Sequence, residues 1–308
     1  MTTALYTHPD CLNHETPTGH PEQVARLQYV EAALAGLDLE RRFAPLCDTA
    51  DILLCHPQSH IDHIANSLPE TGKRALDGDT FVSAGSYVAA QRAVGGAVAA
   101  VDAVLAGEVE NAFVACRPPG HHAEAVKEMG FCLFGNVAIA ARHAMERHGL
   151  TRVAIVDFDV HHGNGTQALL WEERRVRFFS SQEHPQWPGS EAEGERGKYD
   201  QIVNIRLPSG TGGTEMRAAY REQVLPMIDT YAPELILISA GFDAHRADPL
   251  AGLNWEEADY VWLTHQLCDL AEKHCQRRVV STLEGGYDLT ALAASAAAHV
   301  QVLMERGA

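Results

Sequence analysis

The chain has 308 residues, 46% hydrophobic and 21% charged, which suits one large α/β domain with a well-buried core or two small ones. It carries 24 Lys and Arg against 41 Asp and Glu, a net charge of −17 with histidine neutral. Such a field repels nucleic-acid phosphates and attracts cationic substrates such as Lys-rich tails or polyamines, so it argues against a nucleic-acid partner. Seven scattered cysteines without paired spacing, and an N-terminus with neither a basic nor an apolar leader region, predict reduced thiols in a cytoplasmic protein.

In chain order, β-branched runs predict strands at Asn111–Cys116, Arg152–Asp157, Val176–Phe179, Gln201–Ile205, Glu234–Ser239 and Arg278–Leu283. Ala/Leu/Glu-rich stretches predict helices at Ser86–Ala106, Asn136–His148, Gln167–Arg174, Glu215–Thr230, Trp255–His274 and Leu289–Glu305. Asn254, with Glu257 three residues on, reads as the cap that opens the Trp255 helix. The apolar stretch Val94–Ala106 is too short for a membrane span. No linker, repeat or low-complexity tract divides residues 1–308. Alternating strands and helices predict a parallel sheet covered on both faces.

In open sheets of this kind, ligands bind beyond the carboxyl ends of the strands. Four predicted strand ends run into polar sequence there: RPPGHHA (Arg117–Ala123), DFDVHHGN (Asp157–Asn164), AGFDAH (Ala240–His245) and EGGY (Glu284–Tyr287). Side-chain alternation places Asp157, Asp159 and His161 on one face, and Asp243 arrives from another strand end. Two carboxylates and one imidazole with an open position suit catalytic zinc, although oxygen-rich sets also suit iron(II) or cobalt. Two adjacent imidazoles, His121 and His122, sit on a loop stiffened by two prolines and should split their titration. The phenol of Tyr287, after two glycines, is placed to donate to an oxyanion.

RPPGHHA, GFCLFGN (Gly130–Asn136), VDFDVHHGNGT (Val156–Thr166), SAGFDAHRADPL (Ser239–Leu250) and LEGGYD (Leu283–Asp288), in this order, resemble the histone deacetylase superfamily. HPEQVARL (His20–Leu27) resembles that family's opening helix. The resemblance implies the arginase/deacetylase fold: a single α/β domain with an eight-stranded parallel sheet flanked by helices. It implies zinc held by Asp159, His161 and Asp243, with His122 as general base, His121 as its electrostatic partner and Asp157 behind His121. Tyr287 would polarise the acyl carbonyl. Gly130, Phe131 and Trp187 would wall a channel for the aliphatic stem, with Asp79 and Leu250 at its rim. Potassium would bind through Asp157, Asp159, the His161 backbone and Ser180.

SAGFDA and Asn164, which stands where class I enzymes carry an Asp, resemble the class II branch and its bacterial amidohydrolases. The retained Tyr287 implies real catalytic power, with an acylated lysine or other acylated amine as substrate. Three other readings stay open. An arginase-type binuclear manganese hydrolase would need D-x-H-x-D and a second D-x-D pair, and Gly241 occupies the place of that pair's first Asp. An acetylpolyamine amidohydrolase is the second, although Leu250 stands where a polyamine-selective relative carries Glu. The third is a non-catalytic metal-binding protein on the same fold. Oligomeric state and acyl-chain preference stay open as well.

Overall fold

A computed structural model describes residues 2–190 and 194–307. Its ten strands are β1 (Thr3–Thr7), β2 (Glu40–Phe43), β3 (Lys73–Ala75), β4 (Phe81–Ser83), β5 (Asn111–Val114), β6 (Val153–Asp157), β7 (Val176–Glu183), β8 (Ile202–Leu207), β9 (Leu235–Ala240) and β10 (Val279–Leu283). Among the helices, α1 (Val24–Leu34), α2 (Thr49–Ile52) and α3 (Gln58–Asn66) precede the long α4 (Ser86–Ala106). Then come α5 (Asn136–Arg147), α6 (Asn164–Leu169), α7 (Gly213–Ala219), α8 (Leu225–Tyr231), α9 (Glu257–His274) and α10 (Leu289–Arg306).

Eight strands form one parallel sheet in the order β2-β1-β5-β10-β9-β6-β7-β8; β3 and β4 make a separate antiparallel hairpin. The central strands β5, β6, β9 and β10 are buried throughout. Helices on both faces leave such strands no solvent side, and the apolar runs are therefore continuous. All six strands expected from the sequence are present. Edge strand β2, ERRF, alternates between half-buried and exposed, and it carries no apolar run by which it could be read.

Several boundaries differ from the sequence expectation. The last long helix before β10 begins at Glu257, and its cap is Glu256, paired reciprocally with Asp259. Asn254 and Trp255 instead extend the chain: Asn254 N–H donates to Thr211 O (2.9 Å) and Trp255 N–H to Ala244 O (3.0 Å). The fully buried Trp255 side chain holds that segment out of the helix. Helix α6 starts at Asn164, three residues before the expected Gln167, and ends at Leu169. The helix expected at Glu215–Thr230 is divided into α7 and α8 by a π-helical turn at Tyr220–Val224.

The apolar stretch expected to fall short of a membrane span belongs to α4, whose 21 residues are long and apolar enough to cross one. Its composition has another cause, because 67% of its most apolar window is buried inside the fold. A Cβ on Gly95 would sit 2.1 Å from Pro45 O, and one on Gly96 2.9 Å from Val114 Cγ1. Two glycines thus let the helix lie directly against the loop after β2 and against β5.

Helix α1 is tied to the sheet's carboxyl edge by a buried ionic cluster. Glu22 pairs with Arg26 (3.0 Å) and, through both carboxylate oxygens, with the Nε–Nη2 edge of Arg117, and all three side chains are fully buried. Arg26 also donates to the backbone oxygens of Glu284 and Gly286. Removing one partner from such a cluster strands the others, at a cost of about 3–5 kcal/mol. Glu22→Gln should therefore lower unfolding stability by roughly that amount, read as a shifted urea midpoint at unchanged slope. A loss below about 1 kcal/mol would mean that the two arginines are satisfied without the anion.

Candidate active site

The four polar motifs follow β5, β10, β9 and β6, which are neighbours at the centre of the sheet. The sheet therefore gathers their side chains at one edge. Asp159, His161 and Asp243, all buried, each offer a ligand atom within 4.8 Å of the others. His161 Nδ1 lies 3.1 Å from Asp159 Oδ1 and 3.2 Å from Asp243 Oδ2. Backbone donors fix the carboxylates: Gly285 N–H on Asp159 Oδ2 (2.8 Å) and Val160 N–H on Asp243 Oδ1 (2.8 Å).

Asp157 does not join this group, contrary to the simple alternation expected from the sequence. β6 ends at Asp157, and the chain curls so that Asp159 N–H donates to Asp157 Oδ1 at 3.1 Å. The other oxygen of Asp157 faces His121 Nδ1 at 3.0 Å. This is the supporting position behind His121 that the family resemblance implies. Ser180 lies in register with Asp157 on β7, buried, with its hydroxyl accepting from Gly163 N–H at 3.3 Å.

Three buried ligands pointing at one spot fit a single divalent ion, and the surrounding backbone leaves that space clear. A Cβ on Gly285 would lie 2.1 Å from Asp243 Oδ2 and 2.5 Å from Asp159 Oδ2. One on Gly241 would meet Asp159 Oδ2 at 2.1 Å, so the acidic side chain that a second metal would require there has no room. Charge points the same way. Burial, with Asp159 alongside, pushes the Asp243 carboxyl up to about 7. Burial opposes a charge on His161, yet its bonds to Asp159 and Asp243 raise it to about 10. The imidazolium is thus the available countercharge for two buried carboxylates, and a bound metal ion would displace its proton.

The tandem histidines are tuned apart by their partners. Burial disfavours a charge on His121, but Asp159 and Asp157 outweigh it and raise its pKa well above the ordinary range. Burial and the positive charges of His121 and His161 push His122 well below that range. The His122 Nδ1 contact is with neutral Asn164 Oδ1, at 2.7 Å. An amide oxygen accepts from Nδ1–H and leaves Nε2 as a free acceptor, the form a general base requires. Their ring centroids are 3.9 Å apart. One imidazole is thus held charged beside one held neutral.

A cavity of about 330 Å³ opens above these groups and is lined in part by Gly130, Phe131, Trp187, Leu250, Asp79 and Tyr287. Every channel residue expected from the sequence therefore reaches it. The Trp187 ring stands edge-on to His122 at 4.7 Å, and Phe131 edge-on to Tyr287 at 5.7 Å. Gly130 has φ +55°, and a Cβ there would strike His122 Cδ2 at 2.4 Å. Only glycine leaves the channel floor open at that point. Leu250 and Trp187 are 37% and 41% exposed at the mouth, where their apolar surface can meet a ligand. Burial raises the Tyr287 phenol well above its usual range, so it stays a donor, with Arg26 Cζ 4.9 Å above the ring.

Sequence reasoning assigned no role to several residues that hold this site together. Glu284 Oε2 accepts from Gly120 N–H (2.7 Å) and His121 N–H (3.1 Å), fixing the histidine loop. Asp248 Oδ2 accepts from Tyr287 N–H (2.7 Å), while its Oδ1 accepts from Leu250 N–H (3.0 Å). His20, Pro21, Phe81 and Gln186 also line the cavity. Glu284, Asp248 and His20 lay inside motifs already singled out, but their partners are backbone groups or ring faces from distant segments.

The chain is similar to known proteins in sequence and in fold. The histone deacetylase domain profile matches residues 20–303. An uncharacterized Synechocystis protein is 41% identical over 98% of this chain and 99% of its own length. Histone deacetylase 14 of Arabidopsis thaliana, a chloroplastic protein, is 35% identical over 97% of this chain and 76% of its own. A histone deacetylase-like amidohydrolase of Pseudomonas aeruginosa is 38% identical over 87% and 73%. In structure, the HDA15 HD domain superposes with a TM-score of 0.92 at 32% identity, covering 99% of this chain and 90% of that one.

The contrast between Asp157 and Asn164 can be tested by exchange. In Asn164→Asp, with Glu124→Gln to relieve repulsion at the Asn164 Nδ2–Glu124 contact (2.9 Å), an anion would face His122. It would stabilise imidazolium, so the base form would be lost at a higher pH. The acidic limb of the kcat/KM profile should then move upward by about one unit or more. An unmoved limb would show that His122 is not the titrating base.

Proposed function

The chain belongs to the histone deacetylase family, whose members are hydrolytic deacetylases, and from that premise we propose that it is a zinc-dependent, class II-type enzyme acting on acyl-lysine. The observation that carries the proposal is the pairing of a buried two-Asp, one-His cluster with a neutral His122 and a protonated Tyr287 at the foot of one channel.

Zinc held by Asp159, His161 and Asp243 would supply Lewis acidity to a water and to the acyl carbonyl. The residues of the chain do the rest. Nε2 of His122 accepts the proton of the attacking water, while Asn164 keeps the other ring nitrogen as donor. Tyr287 donates its phenolic hydrogen bond to the oxygen on which negative charge develops. His121, held cationic by Asp157 and Asp159, adds positive charge beside that oxyanion. The proton taken by His122 then passes to the leaving amine. Phe131 and Trp187 face the aliphatic stem, and Gly130 lets it pass.

A cationic amine suits the net charge of −17 and the Asp79 carboxylate at the channel mouth. Apolar Leu250 at that mouth supports an acyl-lysine over a second cationic centre, and it sets acyl-lysine ahead of an acetylpolyamine. Potassium beside Asp157, Asp159, the His161 backbone and Ser180, and a cytoplasmic location fitting seven free cysteines, complete the reading.

Turnover of acetyl-lysine peptides should exceed that of N-acetylputrescine, with the zinc-loaded protein assayed against amines and acyl chains of several lengths. Tyr287→Phe should reduce kcat on the preferred substrate by about two or more orders of magnitude. A preference for the polyamine would move the substrate assignment, and near-normal turnover by Tyr287→Phe would remove the phenol from the mechanism.

A further inference from the structure

Away from the catalytic cavity, two imidazoles and a carboxylate converge between α4 and α5. His143 Nε2 lies 2.8 Å from Asp102 Oδ1, and His148 Nε2 lies 2.6 Å from the same oxygen. One ligand atom from each of the three residues falls within 4.8 Å of the others. None of them lines the catalytic cavity. We propose that Asp102, His143 and His148 form a second transition-metal site, a clasp that a zinc-type dication closes between α4 and α5.

The hydrogen bonds of His143 support this assignment. Its Nδ1 faces Oδ1 of buried Asp51 at 2.9 Å, so a carboxylate oxygen stands at each ring nitrogen. A neutral imidazole has a single N–H and can satisfy one of them. Either a second ring proton or a dication at Nε2 satisfies both carboxylates; with Nδ1–H donating to Asp51, Nε2 offers its lone pair to the dication on the side where Asp102 lies. A ring nitrogen anchored by a carboxylate while the other binds the ion is the usual support of a metal-ligating histidine.

Ligand type and surroundings agree with the assignment. Two imidazole nitrogens and one carboxylate oxygen suit zinc, with water in the fourth position. Bonds of about 2.0–2.1 Å place tetrahedral ligand atoms roughly 3.3 Å apart. The two nitrogen–oxygen spacings, 2.8 and 2.6 Å, need to open by about 0.5–0.7 Å. Asp102 and His148 can supply that movement, because their side chains are 49% and 31% exposed. Asp102 lies one turn before the end of α4, and His148 is the C-cap of α5. Two helix carboxyl ends and two carboxylates leave this corner negative, which favours a cation.

The clasp is separable from the catalytic centre by titrating tag-free, chelator-stripped protein with Zn²⁺ in a calorimeter, alongside thermal melts. The wild type should bind two equivalents, with a rise in Tm accompanying the second. His148→Gln and Asp102→Asn should each bind one equivalent, lose that rise, and keep full deacetylase activity. Asp159→Asn should lose the other equivalent and retain the clasp. A single equivalent in the wild type that Asp159→Asn abolishes would overturn the clasp and leave the deacetylase reading standing. Two equivalents that persist in His148→Gln would overturn it equally. A single equivalent lost in His148→Gln but kept in Asp159→Asn would support the clasp and remove the catalytic ion instead.

Discussion

Two carboxylates buried side by side at the ends of neighbouring strands are the constraint on which the rest of this structure depends. Asp159 and Asp243 are fully enclosed, and isolated buried anions are prohibitively costly unless a cation or donors compensate them. The chain supplies donors from Gly285 and Val160 and a protonated His161, and it leaves a space that a Cβ at either Gly241 or Gly285 would fill. The glycines, the loop paths and the protonation of the neighbouring histidines all follow from accommodating positive charge at that point.

The same device recurs one layer out, where carboxylates hold backbone rather than ions. Glu284 grips the histidine loop, Asp248 grips the turn that carries Tyr287, and Glu22 anchors the two arginines that reach the β10 exit. The histidine loop and the turn that carries Tyr287 are thereby each held by a buried anion on a different element, the kind of fixing that precise positioning of reacting groups would demand. His121 and His122 show how finely this works. They are adjacent in sequence and nearly in ring contact, but Asp157 behind one and Asn164 behind the other give them opposite charge preferences.

Much of this was legible in the sequence, because buried parallel strands are written as unbroken apolar runs and the polar motifs begin where those runs stop. The six strands read in this way include the four that carry the site. β1 and β2 are not legible in the sequence, since TALYT is short and mixed and ERRF has no apolar face to mark it. The orientation of Asp157 could not be read from alternation, because β6 ends at that residue and the backbone bonds back onto it. Glu284 and Asp248 were invisible for another reason: their partners are backbone N–H groups, which leave no trace in residue identity. The Asp102, His143 and His148 cluster comes from two helices distant in sequence, and spacing alone cannot join them.

A single ion at Asp159, His161 and Asp243 is the central requirement, and anomalous scattering at the zinc edge from crystals of the purified protein tests this most directly. The expected map shows one peak among these three side chains, about 2.0–2.2 Å from His161 Nδ1 and from one oxygen of each aspartate. A pair of peaks there about 3.5–4 Å apart, or none in zinc-replete crystals, would contradict it.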